Sequence, residues 1–186
     1  MIIQQRQQLW RHTVATVTAE LNQLDPQRRA WIRNAVSRIG TYQQQMHELF
    51  LAADGPALCR RCLGACCACG THHFTLVNLL AYLVEGDNPP EPDFGQTCPF
   101  LGASGCLVPV SRRPFNCVIF LCEDIWANLT KPQQHMARQL EDALRRQYLA
   151  FDDLFAGASL RGLLIRAERL GGLELLAPPA ARERSV

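Results

Sequence analysis

The residues best suited to chemistry are the nine cysteines in this chain of 186 residues. Eight of them form two groups. The first group has the pattern C-x2-C-x3-C-C and consists of Cys59, Cys62, Cys66 and Cys67. The second group lies further along the chain and consists of Cys98, Cys106, Cys117 and Cys122. Because several thiolates in so short a stretch would repel one another without a cation among them, these eight residues are predicted metal ligands.

The number of thiols allows either one metal centre or two. A closed tetrahedral zinc site and a cubane iron–sulfur cluster each take four cysteines. Eight cysteines therefore allow two sites, or one site with the remaining thiols buried as small apolar residues. Cys66 and Cys67 are adjacent and point in different directions, so each can serve a different group.

The residues around the thiols favour a [4Fe–4S] cluster. The close spacing of the first group can wrap a cubane, and Cys98-Pro99 is similar to the Cys-Pro of bacterial ferredoxins. The second group also has apolar surroundings, which include Phe94, Phe100, Phe115 and Phe120. Zinc is the alternative, because C-x2-C is also the commonest zinc half-site and spacing alone does not separate the two metals.

Three residues near the first group are weaker candidates. Cys69 is interpreted as a spare thiol. His72 and His73 could supply an imidazole to a mixed site, but they are interpreted as the start of a helix over residues 75–85, with Thr75 as its N-cap. The sequence has no phosphate-binding glycine loop and no G-x-S-x-G or H-E-x-x-H motif, so no catalytic residue is predicted.

Taken together, the motifs of residues 59–122 resemble the YkgJ-type cysteine-cluster proteins, small bacterial proteins described as zinc- or iron-chelating domains. After the C-x2-C-x3-C-C start, the shared features are Cys98-Pro99-Phe100-Leu101, Gly105-Cys106, Arg113-Pro114 and the closing pair Cys117 and Cys122. The chain departs from the family at Pro109, where relatives usually carry an aromatic residue, and at Val118, where arginine is common. The resemblance implies a metal or cluster held by the eight thiols. Relatives among flagellin lysine methylases are understood to hold iron–sulfur.

Helices on both sides must position these thiols. In the first segment, apolar residues recur at spacings of three and four, which predicts a helix over residues 4–24. These residues are Trp10, Val14, Val17, Leu21 and Leu24. Asp25-Pro26 predicts the start of a second helix, which Gly55-Pro56 ends. Because the link between them is short, the two helices are predicted to form an antiparallel hairpin.

Helical patterns resume after the second cysteine group. Glu123-Asp124 is predicted to be the acidic first turn of a helix. Thr130 and Gln133 form a capping box that predicts a helix through about residue 156. A last helix is predicted over residues 159–170, stopping at Gly171-Gly172.

The predicted fold class is therefore mainly α. A helical hairpin (1–55) and C-terminal helices (126–172) pack around a loop-rich, cysteine-rich metal-binding centre (56–125). Residues 1–172 are predicted to form a single domain, and residues 173–186 a flexible tail.

Composition limits the compartment and the partners. The net charge of +2 is too small to predict a nucleic-acid partner, and no apolar run approaches the ~20 residues of a membrane span. The first ten residues, MIIQQRQQLW, lack the apolar stretch of a signal peptide. We therefore expect a cytoplasmic protein with reduced thiols, in which disulfides are disfavoured.

The predicted function is metal binding in a structural or electron-transfer role, since four thiolates per metal leave no position for a substrate. One alternative is a cluster-dependent enzyme of methylase-like or redox type, although no cofactor loop supports it. A second alternative is a metal-stabilised module that binds a protein partner.

Overall fold

The computed structural model describes residues 2–62, 65–159 and 161–178, and it is mainly helical. Its α-helices are α1 (Ile3–Gln23), α2 (Pro26–Ala52), α3 (Gly55–Arg61), α4 (Leu76–Leu83), α5 (Phe115–Ile119), α6 (Glu123–Asn128), α7 (Lys131–Leu154) and α8 (Leu163–Leu170). Two 3-10 helices cover Ala65–His72 and Val110–Arg112, and two antiparallel strands form a short hairpin, β1 (Leu101–Gly102) and β2 (Gly105–Cys106). Within this part of the chain, no helix combines the length and the apolar character needed to cross a membrane.

The starts of the two longest helices follow the predicted capping residues. The Asp25 carboxylate accepts a hydrogen bond from the Arg28 backbone N–H at 2.8 Å, which confirms the start of α2. At α7, the Thr130 backbone N–H donates to Gln133 Oε1 at 2.9 Å, as the capping box requires. The predicted acidic first turn at Glu123 is also confirmed, as the start of α6.

α4 is buried on all sides and forms the centre of the core. Every residue from Leu76 to Tyr82 is buried. The apolar segment LVNLLAYL has no polar face to turn toward water, so other elements must cover it completely. α1, α2 and the 3-10 helix Val110–Arg112 pack against it, and α7 packs on α2.

The helical hairpin predicted for residues 1–55 is wrong. α1 and α2 follow one another closely, but α1 packs mainly on α8 and α4, whereas α2 packs mainly on α7, α4 and the 3-10 helix Val110–Arg112. The physical reason is that α4 is apolar on all sides. α1 and α2 each gain more contact by packing against α4 than they would by packing against each other.

α2 also ends earlier than expected, at Ala52, and Gly55-Pro56 begins α3 instead of ending α2. Asp54 lies between them in a left-handed conformation, with φ of 55°. A Cβ at Gly55 would lie 2.3 Å from Phe50 Cε2, so a larger residue there would force the Phe50 ring to move. The cysteine region consists largely of short helices and one hairpin, whereas the sequence predicts mostly loop.

The predicted C-terminal elements require two corrections. The last helix begins at Leu163, later than expected, because Ser159 instead donates its backbone N–H to the Asp152 carboxylate at 2.9 Å. The flexible tail predicted from residue 173 is wrong for Leu175 and Leu176, which are both buried in the core. Their backbone N–H groups donate to the Glu20 carboxylate at 3.0 and 2.6 Å. Residues 179–186 of the predicted tail lie outside the described part.

Candidate metal centre

The first cysteine group lies on two short helices. Cys59 is on α3, and Cys62 follows as its C-cap, with Sγ 3.6 Å from the Cys59 carbonyl oxygen. Cys66 and Cys67 lie on the 3-10 helix Ala65–His72, and so does Cys69. Residues 63 and 64, between the two helices, are outside the described part. A helical turn therefore holds the C-x2-C pair.

The second group is held by a hairpin and two helix ends. Cys98 precedes β1, and its carbonyl oxygen accepts a hydrogen bond from the Leu101 N–H at 3.1 Å. Leu101 pairs with Cys106 across the hairpin, and this pairing keeps Cys106 near Cys98. Cys117 lies on α5, and Cys122 is the N-cap of α6.

Cys59 has neighbouring thiols from both cysteine groups. Burial raises the pKa of Cys59, and the negative charges of Cys66, Cys62 and Cys122 raise it further. Cys122 belongs to the second group in the sequence but lies with the first group in space. α3 and α6 pack against each other, which explains this arrangement.

A second set of neighbours surrounds Cys67. Burial raises the pKa of Cys67 to about 11, with added contributions from Cys66, Cys106 and Cys98. Burial raises the pKa of Cys117 to about 12, and the charges of Cys106, Cys98 and Cys67 contribute to this rise. The pKa of Cys98 is raised by burial and by Cys106. The charged neighbours of these thiols therefore form two sets, which share Cys66.

The sulfur atoms approach one another without forming a closed site. Across the described ranges, no group of three histidine, cysteine or acidic side chains could hold a metal ion as it stands. All nine cysteines, each within those ranges, are free thiols, and Cys59, Cys98 and Cys122 are half-buried. The other residues are exposed, although the thiols of Cys67 and Cys117 are partly desolvated by the surrounding protein. The metal centre thus stays a prediction, with its donor atoms gathered in one region.

His73 contacts the second set directly. Its Nδ1 lies 3.3 Å from Cys117 Sγ. Burial lowers the pKa of His73, as does the charge of His72, so the neutral ring is favoured. Thr75 is the N-cap of α4, as predicted, but the histidines do not begin this helix, since His72 ends the 3-10 helix and His73 lies between the two. Cys69 is not among the charged neighbours of Cys59, Cys67, Cys98 or Cys117.

A buried polar network next to the thiols was not predicted from the sequence. Gln43 Nε2 donates to the Arg113 carbonyl oxygen at 2.6 Å, and Asn78 Nδ2 donates to the Arg112 carbonyl oxygen at 3.1 Å. The Tyr148 hydroxyl donates to the Arg113 carbonyl oxygen at 3.2 Å. These bonds fix the backbone just before Cys117. The sequence does contain a signal for this network, because the polar residues Gln43 and Asn78 interrupt apolar patterns at positions that face the core.

A cavity of about 390 Å³ opens beside the thiols, between α2, α3, α5 and α6. Six cysteines contribute to its wall: Cys59, Cys62, Cys66, Cys67, Cys117 and Cys122. The rest of the wall carries apolar and aromatic groups such as Met46 and Phe50, together with the charged residues Arg113 and Asp124. The volume is large enough for a small organic molecule.

Comparison of the chain with family models, with curated proteins and with solved structures finds no match. The resemblance to the YkgJ-type cysteine-cluster proteins therefore stays a prediction that depends on the cysteine motifs.

Proposed function

We propose that this protein binds a metal through its clustered thiolates, holding an iron–sulfur cluster or zinc in a structural or electron-transfer role. The observation that supports the proposal is that thiols from the two segments lie close together: the charge of Cys122 raises the pKa of Cys59, and the charges of Cys106 and Cys98 raise the pKa of Cys67. Such thiols are hard to ionise together in the absence of a cation. A bound metal supplies that cation and makes the thiolate form the stable one.

The arrangement of the ligands predicts coupling between metal binding and folding. The thiols lie on short helices and on a two-stranded hairpin, which have little stability of their own. Thiolates that bind the same metal would link α3 to α6. They would likewise link the 3-10 helix Ala65–His72 to the β1–β2 hairpin. Metal content and conformational stability should therefore rise together.

Iron–sulfur is the favoured occupant and zinc the alternative. Phe94 and Phe100 are buried near the second set, as an apolar cluster environment requires, although Phe120 is exposed. The resemblance to the YkgJ-type family supports either metal. The proposal includes a reducing, cytoplasmic location, since oxidation of the thiols would remove the ligands.

The experiment is elemental analysis of untagged protein purified without oxygen, with a visible spectrum of the same sample. Iron together with broad absorbance near ~400 nm supports a cluster, and stoichiometric zinc without that absorbance supports the alternative. A folded, fully reduced sample that contains neither metal and takes up neither on reconstitution would overturn the proposal.

Replacing a predicted ligand should have a much larger effect than replacing the spare thiol. Cys62→Ser should lower metal content and soluble yield together, because Cys62 ends α3 at the centre. Cys69→Ser, at an exposed position on the neighbouring 3-10 helix, is the matched control and should change both far less. Equal losses in the two variants would contradict the assignment of Cys69 as the spare.

A second candidate function is a cluster-dependent enzyme, which the cavity of about 390 Å³ beside six thiols favours. An enzyme needs an open coordination position, whereas a structural or electron-transfer centre does not. Adding imidazole or cyanide to the metal-loaded protein distinguishes these two cases. A change in the metal's absorption spectrum at unchanged metal content indicates the open position, and an unchanged spectrum indicates a closed thiolate shell.

A further inference from the structure

We propose that the eight thiols form two separate four-sulfur centres, with the adjacent Cys66 and Cys67 donating to different ones. The first centre, which we call centre A, consists of Cys59, Cys62, Cys66 and Cys122. The second, centre B, consists of Cys67, Cys98, Cys106 and Cys117. This inference rests on the proposed metal binding and specifies how the ligands of that site are divided.

The conformation of residues 65–72 separates the two adjacent thiols. These residues form a 3-10 helix, which has three residues per turn. Successive side chains therefore point about 120° apart, and side chains three positions apart lie on the same side. Cys66 and Cys67 therefore leave the helix in different directions, although both also contribute to the wall of the cavity beside α2.

Close contacts place Cys67 on the side of centre B. Gly70 is three positions after Cys67, and a Cβ at Gly70 would lie only 2.9 Å from Cys98 Sγ. This side of the 3-10 helix therefore faces Cys98. His73, three positions further along, has its Nδ1 3.3 Å from Cys117 Sγ. The side of the helix that carries Cys67 thus meets two of the other ligands assigned to centre B.

The third partner in centre B is held by the hairpin. The Leu107 N–H donates to the Phe100 carbonyl oxygen at 2.8 Å, and Leu101 pairs with Cys106. These bonds hold Cys106 beside the segment that begins at Cys98.

Centre A is defined by a separate apolar cluster, which consists of Ala53, Leu58, Ile125 and Leu129. Cys59 and Cys122 both pack against this cluster. The Asn128 side chain also donates to the Ala53 carbonyl oxygen at 3.1 Å and holds α6 against the end of α2. The two segments therefore meet at centre A independently of the hairpin that forms centre B.

The division makes a specific prediction about pairs of substitutions. Two ligands removed from one centre should eliminate that centre and leave the other intact. The same number of ligands removed from different centres should damage both. Cys66→Ser/Cys122→Ser removes two ligands from centre A, and Cys67→Ser/Cys106→Ser removes two from centre B. The mixed variant Cys66→Ser/Cys106→Ser is the matched control, since it lacks the same number of thiols.

The experiment loads the reduced, metal-free full chain with Cd²⁺ and counts bound ions by native mass spectrometry in the presence of a competing chelator. The wild-type chain should bind two Cd²⁺ ions. Each same-centre double variant should keep one ion at wild-type affinity, and the mixed variant should keep none at that affinity. One ion in the wild-type chain, or loss of both ions from the same-centre variants, would overturn the division.

A measurement on the wild-type chain covers the case in which a variant does not fold. After loading with one equivalent of Cd²⁺, free thiols are alkylated and the protected cysteines are mapped in intact chains. Chains with four protected thiols should carry all of them in centre A or all in centre B. Mixed sets would overturn the division while leaving metal binding in place, whereas a chain that binds no Cd²⁺, zinc or iron would overturn the proposed function itself.

Discussion

Tyr148 connects the thiol-bearing segment to the helical core through a single hydroxyl group. It donates to the Arg113 carbonyl oxygen, and it lies 3.3 Å from Gln43 Nε2 and 3.4 Å from Asn78 Nδ2. Burial raises the pKa of Tyr148, so the neutral, donating form is favoured. The hydroxyl therefore joins α2, α4 and α7 to the backbone that leads into α5.

Removing this hydroxyl should destabilise the protein. Tyr148→Phe leaves the Arg113 carbonyl oxygen with fewer donors, and the expected loss is about 1–3 kcal/mol in the free energy of unfolding. Urea denaturation followed by circular dichroism measures this loss. Tyr42→Phe, at a half-buried position on α2 outside the network, is the control and should change stability little. Equal stability of the wild type and Tyr148→Phe would contradict the role of the network.

His47 should make stability depend on pH. Burial lowers its pKa below the ordinary value of 6.5, and the positive charge of Arg113 lowers it further. Since the unfolded chain takes up the proton at a higher pH than the folded chain, stability is lost as the pH falls through 6.5 towards the lowered pKa.

Replacing His47 with glutamine should remove this part of the acid sensitivity. Between about pH 7.5 and about pH 5.5, His47→Gln should lose less unfolding free energy than the wild type, as measured by urea denaturation at several pH values. His135→Gln, at an exposed position on α7, is the control. Parallel stability curves for His47→Gln and the wild type would show that His47 does not contribute.

At the scale of elements, the segment after α8 is part of the folded core. Deleting residues 174–186 removes the two buried side chains Leu175 and Leu176, and it leaves the Glu20 carboxylate without two N–H donors. The expected loss of unfolding free energy is roughly 3–6 kcal/mol. Deleting only residues 179–186 keeps Leu175, Leu176 and their bonds to Glu20, so it should cost less stability than the longer deletion. Thermal denaturation of the two truncated chains checks this difference, and equal melting temperatures would contradict it.

The sequence predicts the long helices well because their signals are local. Capping residues and apolar spacing lie within the helices themselves, so α2 and α7 begin where Asp25 and Thr130 indicate. The packing partners of α1 depend on α4, which lies far along the chain, and no local pattern encodes that choice. The burial of Leu175 also depends on a distant partner, Glu20.

At the scale of the whole molecule, the spacing of the cysteines predicts two groups but not their membership in space. Cys122 is last in the sequence of ligands, yet the packing of α6 on α3 places it beside Cys59. Cys66 and Cys67 lie on a 3-10 helix, in which successive side chains point in different directions, and this conformation is not evident from the run of small residues. Pairwise packing between short elements therefore decides which thiols meet.

Removing the proposed metal should loosen the cysteine region more than the helical core. Treating the reduced, metal-loaded protein with a chelator should lower the melting temperature by about 5 °C or more. Hydrogen exchange followed by mass spectrometry should show faster exchange in the ranges 56–62, 65–72 and 98–122 than in α4 and α7. Uniform changes along the chain, or no change at all, would contradict this coupling.

α1 finds its main partner at the opposite end of the chain, since it packs on α8 and Glu20 binds the segment that follows α8. A ribosome adding about 5–20 residues per second therefore delivers α8 on the order of ten seconds after α1. Throughout that interval, the part of the α1 surface that α8 covers has no native partner, although α4 is synthesised earlier. Chaperones that bind exposed apolar helices would therefore meet this protein at its N-terminal helix, and docking of α1 would be among the last events of its biogenesis.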